Sequence, residues 1–188
     1  MKKIFLLIIL CIICSNVNAQ KVVSDEVTSD GIRAIIGESV FVTGMSDKVK
    51  LEVALHYYAD SVHSSYLLNL RAISSTPYKI SKGMKLLLKD VDGNVVELEA
   101  INDADASVSE VHNINGFVYS DYSKTASYEI SEETVRQLGK GVLKLRQEHS
   151  TGKFEKEWKK DKMGSILRKE LAEIRHKASI KKDFHSDF

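Results

Sequence analysis

The chain has 188 residues, 27 Lys and Arg against 26 Asp and Glu, a single proline, 43% apolar residues and 28% charged ones. That is room for one domain, at most with an appendage. The composition excludes a collagen, an acidic disordered chain and a glycine-serine or polyproline linker, and the near-zero net charge gives no bulk reason to expect a polyanion partner.

Residues 1–19 read as a signal peptide. Lys2 and Lys3 open it, Ile4 to Cys14 is an unbroken apolar run, and Val17 and Ala19 supply slim side chains at −3 and −1 before Gln20. The run is about half of the roughly twenty residues needed to span a bilayer. Cys11 and Cys14 raise lipidation as a competing reading, but Leu10 and Ile13 stand where lipoprotein cleavage wants a small residue. Cleavage before Gln20 removes both cysteines, leaving no disulfide, thiolate nucleophile or cysteine-held zinc. A thiol-free exported domain suits a bacterial periplasm or secretion from a bacterium.

Residues 20–31 are polar, a flexible lead or edge segment. Ile32 to Val42 holds one or two strands, broken at Gly37-Glu38-Ser39. From Leu51 to Asp60 the alternation is clean, with Leu51, Val53, Leu55, Tyr57 and Ala59 on one face and Glu52, Ala54, His56, Tyr58 and Asp60 on the other. Residues 65–73 read as its partner strand. In residues 84–100 a hairpin turns at Asp92-Gly93-Asn94; an even loop there groups Leu87, Val96 and Leu98. Residues 102–115 lack a period and read as a long surface loop, and strand character resumes from Phe117 to Ile130.

A short helix is predicted near 132–139, capped by Ser131, with Glu132 and Glu133 in its first turn and Ile130 stapling onto Val135. A second hairpin, Val142 to Lys160, gathers Leu143, Leu145, Phe154 and Trp158 on one face if its loop is even, with Arg146 facing Glu157. A C-terminal amphipathic helix over 162–178 carries Met163, Leu167, Leu171, Ile174 and Ala178 in a stripe, and 179–188 is a tail. Hairpins without βαβ alternation predict a mainly β (α+β) fold. The form expected is an antiparallel β-sandwich or bent sheet of about seven to nine strands, one domain over 32–178, with the C-terminal helix packed on the sheet.

Chemistry-bearing motifs are absent. Gly37-Glu38-Ser39-Val40-Phe41 lacks the second glycine of a nucleophile elbow, and Gly139-Lys140-Gly141 is no phosphate loop. The six histidines show no metal-binding spacing. Asp90-Val91-Asp92-Gly93-Asn94 resembles a calcium-loop opening, but Val95 and Ile101 occupy the positions that need glycine and glutamate. Asp103, Asp105, Glu110 and His112 offer ligand atoms on one stretch, for which a solvated acidic loop is the plainer reading. No catalytic residue, metal site or cofactor is assigned. His56 and Tyr58, side by side on a nominally wet face, are the candidate ligand platform.

Charge is unevenly distributed. Residues 20–133 carry 18 acidic and 10 basic side chains, and residues 134–188 carry 8 acidic and 15 basic. The basic C-terminal section either meets an acidic partner or lies against the acidic body. Export removes nucleic acid from consideration, and processing leaves no transmembrane span. The expectation is an exported, non-catalytic envelope protein, a binding or interaction module for an envelope protein or glycan. Its rival is an envelope hydrolase using dispersed Asp/Glu or Ser/His on polysaccharide or peptide. The first rests on export, on the absence of motif-borne chemistry and on a fold class that often presents surfaces, the last by analogy only. Mass spectrometry of the native protein should find Gln20 as the first residue; an intact Met1, or an acyl group on Cys14, refutes cleavage before Gln20.

Overall fold

Two long strands form the spine of a computed structural model that describes residues 22–44 and 47–180; the expected signal peptide 1–19 and residues 181–188 of the expected tail lie outside the described residues. β4 (Val49–Ala59) and β5 (Ser64–Ser74) pair along their whole length, from Val49 opposite Ser74 to Ala59 opposite Ser64. Their turn is closed by the Asp60 carboxylate, which accepts the N–H groups of Val62 and His63. On one side β9 (Phe117–Ile130) pairs with β5, and β8 (Ser107–Ile114) pairs with β9. On the other side stand β2 (Arg33–Gly37), the short β3 (Val40–Phe41) and, at the edge, β1 (Val22–Val27). The polar lead thus takes its edge form.

A second antiparallel sheet runs β11 (Gly152–Glu157), β10 (Val142–His149), β6 (Lys85–Asp90), β7 (Val95–Glu99). The fold is mainly antiparallel β, with two sheets, the larger curled like half a barrel, and a C-terminal helix. The sheets share one core, in which Leu51, Val53, Leu55, Leu68, Leu70, Ala126 and Tyr128 meet Leu86, Leu88 and Leu145. Eleven strands are described. β2 and β3 take the two-strand alternative for residues 32–42, and β8 lies inside the stretch read as a loop.

The two hairpins of the smaller sheet differ in loop parity. In β10–β11, His149 faces Gly152 across the two-residue turn Ser150-Thr151, so Leu143, Leu145, Phe154 and Trp158 do share a face. Arg146 then faces Glu155, not Glu157, and bonds it at 2.6 Å. In β6–β7 the loop is odd. Leu86 faces Leu98, and Leu88 faces Val96, which unites these four on the core side and turns Leu87 outward. Asp90 explains the choice. It is buried, its carboxylate accepts the Asn94 N–H at 2.8 Å and the Gln137 amide at 2.8 Å, and Gly93 supplies φ +89°. An even loop would turn that carboxylate away from both partners.

The first helix, α1 (Glu132–Leu138), starts where Ser131 Oγ accepts the Thr134 N–H, and buries Val135 and Leu138. The second, α2 (Met163–Ser179), is capped by Asp161, whose carboxylate accepts Gly164 N, Ser165 N and Val142 N. Its buried face holds Met163, Leu167, Leu171 and Ile174 as expected, together with Ile166 and Glu170. Arg33 fixes its far end by a bidentate pair with Asp25 and bonds to the carbonyls of Lys177 and Ile180.

Glu170 fills a notch in the larger sheet. Pairing shifts between Ile36–His56 on β2 and Val40–Val53 on β3, so residues 37–39 bow out and the Leu55 N–H needs another acceptor. Glu170 Oε2 takes it at 2.7 Å. Only glycine fits at position 37, because a Cβ would stand 2.6 Å from the Leu55 carbonyl oxygen. Glu170 is 2% exposed, and burial, reinforced by Glu38, pushes its carboxyl up to about 8. A raised native pKa means the fold holds the proton longer than the unfolded chain does. This stabilisation is full below about 4.5 and is lost as pH rises through about 8. The Glu170→Gln variant keeps an acceptor for Leu55 without the titration. Urea melts should show it gaining on the wild type between pH 5 and 8.5, by at most about 5 kcal/mol; a difference that does not vary with pH refutes the assignment.

Candidate functional site

His56 and Tyr58 lie on the outer face of β4, opposite Ile36 and Ala34 of β2. Their rings are 6.4 Å apart and tilted by 59°. Tyr58 borders a shallow depression with Ile32, Asp60, His63 and Glu129, but His56 does not reach it. Burial lowers the His56 pKa. The pair are neighbours without converging on one pocket.

A more organised group sits at the open end of the sheets. The segment after β5 crosses to the β10–β11 turn, where Lys79 N–H bonds Ser150 Oγ and Ser150 N–H bonds the Lys79 carbonyl. This seats Tyr78 against His149, with ring centroids 4.2 Å apart and 25° between planes. Lys124 projects inward from β9 in the alternation that also buries Ala126, Tyr128 and Ile130. Its ammonium lies 3.5 Å from the centroid of the Tyr78 ring and donates to Ser74 Oγ at 2.7 Å and, more weakly, to the Thr76 carbonyl. No salt bridge reaches it among the described residues, and burial pulls its pKa down to about 8. Burial likewise raises the Tyr78 phenol to about 12, against a weaker lowering from Ser74.

Tyr78, His149 and Phe154 with Lys48, Lys153 and Thr76 border a cleft of about 600 Å³, and no carboxylate is among the described residues that line it. The arrangement suits an anionic or polar group resting on an aromatic floor. It is poorly set for nucleophilic catalysis. Lys124 donates to Ser74, and the Ser74 hydroxyl donates to the Thr76 carbonyl at 2.9 Å. A serine nucleophile needs its proton directed at the base.

The other conspicuous feature is the β8–β9 ribbon. Its turn is Asn115-Gly116, both with positive φ (53° and 86°), between the paired residues Ile114 and Phe117. Val108, Val111, Ile114, Phe117, Val118 and Tyr119 are all exposed, Phe117 by 79% and Val118 by 66%. On the outward face, Glu110 stands opposite Asp121 and His112 opposite Tyr119. The stretch 102–115 is therefore half strand. It shows no hydrophobic period because neither face of the ribbon is covered. Of the four ligand-type residues there, Glu110 and His112 come together with Asp121, whereas Asp103 accepts the Lys82 N–H and Asp105 is exposed.

The basic C-terminal section is partly neutralised within the molecule. Lys144, Arg146 and Lys153 surround Glu155, holding its carboxyl down at about 2, while Lys156 pairs with Asp47 and Lys140 with Asp92. No described helix is long and apolar enough to cross a membrane. No family model matches the chain, and no curated protein or solved structure is significantly similar to it.

Lys124 gives the cleft a measurable signature. A lysine whose native pKa is depressed destabilises the fold while charged, and that penalty disappears as pH rises from about 8 to 10.5. The Lys124→Met variant should be more stable than the wild type at pH 7, by at most about 3 kcal/mol. Denaturant melts should show the gap closing toward pH 10.5. A gap independent of pH would place the ammonium in water.

Proposed function

We propose that this chain is an exported, non-catalytic envelope protein that binds a partner protein through the β8–β9 ribbon. The observation that carries the reading is the concentration of six large apolar side chains, two of them aromatic, in the solvent around one two-stranded projection. Scattered exposed apolar residues are ordinary, but a set this dense on both faces of one hairpin marks an interaction surface. Aromatic anchors such as Phe117 and Tyr119 are the residues that dominate protein interfaces. Export is supported by the sequence of residues 1–19 alone. The rival, an envelope hydrolase, finds little support in the cleft, where the serine proton faces a carbonyl and no carboxylate is among the described residues that line it.

A photo-crosslinking residue placed at Ile114 in living cells should give an adduct of discrete mass, and one placed at exposed Lys160 should not. Joint Phe117→Ser and Val118→Ser substitution should weaken the adduct at least about tenfold, the loss of little more than 1 kcal/mol of anchor energy. Absence of any adduct from ribbon positions refutes the proposal.

A further inference from the structure

We propose that Glu110, His112 and Asp121 form a binding site for a divalent cation of the zinc class on the outward face of the β8–β9 ribbon. His112 Nε2 lies 3.2 Å from Asp121 Oδ2 and 3.7 Å from Glu110 Oε2, and one ligand atom from each of the three residues lies within 4.8 Å of the others. Ligand atoms about 2.0–2.1 Å from a tetrahedral zinc are separated by about 3.3 Å. The three side chains therefore stand close to the separation that one ion requires, with small rotations of the exposed Glu110 completing it.

The backbone sets this up. Ser107 faces Ser123 and Val108 faces Tyr122, but after a bulge at Ser109 the register moves by one, so that Glu110 faces Asp121 and His112 faces Tyr119. Without the extra residue Glu110 would face Ser120, and Asp121 would lose its carboxylate neighbour. Bulges commonly re-aim side chains in this way. Ser109 is tied back by a bond from its hydroxyl to the Asp121 carbonyl. The His112 ring is held flat on Tyr119, with centroids 4.6 Å apart and 22° between planes, and its Nε2 faces the two carboxylates.

Two carboxylates directly opposite each other across a ladder repel. A cation between them converts that repulsion into coordination. One imidazole nitrogen with two carboxylate oxygens favours zinc and its first-row neighbours over magnesium or calcium, which prefer oxygen alone. Three protein ligands with solvent access leave room for water. The inference goes beyond the partner-binding reading, because it requires neither a partner nor export.

Zinc chloride titrated into the full chain, with a chromophoric chelator as competitor, should give saturable uptake of one ion per chain, with affinity on the order of micromolar. A large excess of magnesium or calcium should not displace it. His112→Ala and Asp121→Asn should each weaken uptake at least about tenfold, whereas His56→Ala and His149→Ala should leave it unchanged. On the unaltered protein, imidazole nitrogen NMR should show the His112 resonance moving as zinc is added, which keeps the test sound if a variant misfolds. No saturable uptake, uptake indifferent to His112 and Asp121, or a stationary His112 resonance would each overturn the site and leave the three residues as a simple ion-pair cluster.

Discussion

The register of β9 on β5 decides what every side chain beyond the core can do. Tyr66 faces Ile130 and Ser74 faces Tyr122, and between these ends even-numbered residues of β9 turn inward while odd-numbered ones turn out. That parity sends Lys124 beneath Tyr78 and Tyr128 into the core, where its hydroxyl accepts from Gln147. It also sends Asp121 outward, toward His112. A slip by one residue would expose the core tyrosine and bury a carboxylate. The slip is resisted by nine consecutive paired residues with Leu68, Leu70 and Ala72 packed on the same inner face.

Two of the buried ionisable groups, Glu170 and Lys124, are there for opposite structural reasons. Glu170 is held by the larger sheet's break: the carboxyl stands where β2 and β3 fail to supply an acceptor, and the proton it retains removes the cost of a buried charge. Lys124 has no such requirement from the backbone. Ser74, Thr76 and Tyr78 satisfy the ammonium, but an apolar residue there would cost those partners little. The charge lies instead beneath Tyr78, whose ring borders the neighbouring cleft. As pH rises the two effects change stability in opposite directions over adjacent ranges, and each disappears with its own side chain.

Much of the architecture was legible in the sequence because period-two alternation is a direct consequence of burial on one face. β4, β5 and the start and end of β9 followed from it, while the Ser131 cap followed from hydroxyl capping chemistry and the stripe of α2 from the helical period. Parity at the Asp92-Gly93 turn did not, since Asp-Gly suits both two- and three-residue loops; the choice rests on the Asp90 carboxylate finding Gln137 across 47 residues of chain. β8 was missed because an uncovered ribbon has no apolar face to reveal it, although Asn115-Gly116, a strong hairpin signal, lay at its end. Lys124 was the subtler omission. It occupies an inward position between Tyr122 and Ala126, and a lone lysine in the core parity of a strand was the available clue. His56 and Tyr58 were correctly placed side by side, but alternation alone cannot show whether two neighbours share a pocket.

The ribbon also has a free edge, and an open apolar edge strand invites indiscriminate pairing with other chains. Here the edge is interrupted at Ser109, where the bulge breaks the ladder, and beyond it β8 offers only five residues, Glu110 to Ile114, two of them charged or titratable and one an asparagine. Strand addition along this edge is therefore short and poorly favoured. The apolar side chains stand on the ribbon's faces, with Val118 in the parity that buries Lys124 and Tyr128, and Phe117 and Tyr119 in the parity that presents Asp121. The partner proposed for the ribbon would thus be met face-on by side chains, where shape and aromatic contact discriminate, and not through backbone hydrogen bonds, which do not. The same bulge that aligns Glu110 with Asp121 protects the edge, so one inserted residue serves both the outward cluster and the solubility of the projection that carries it.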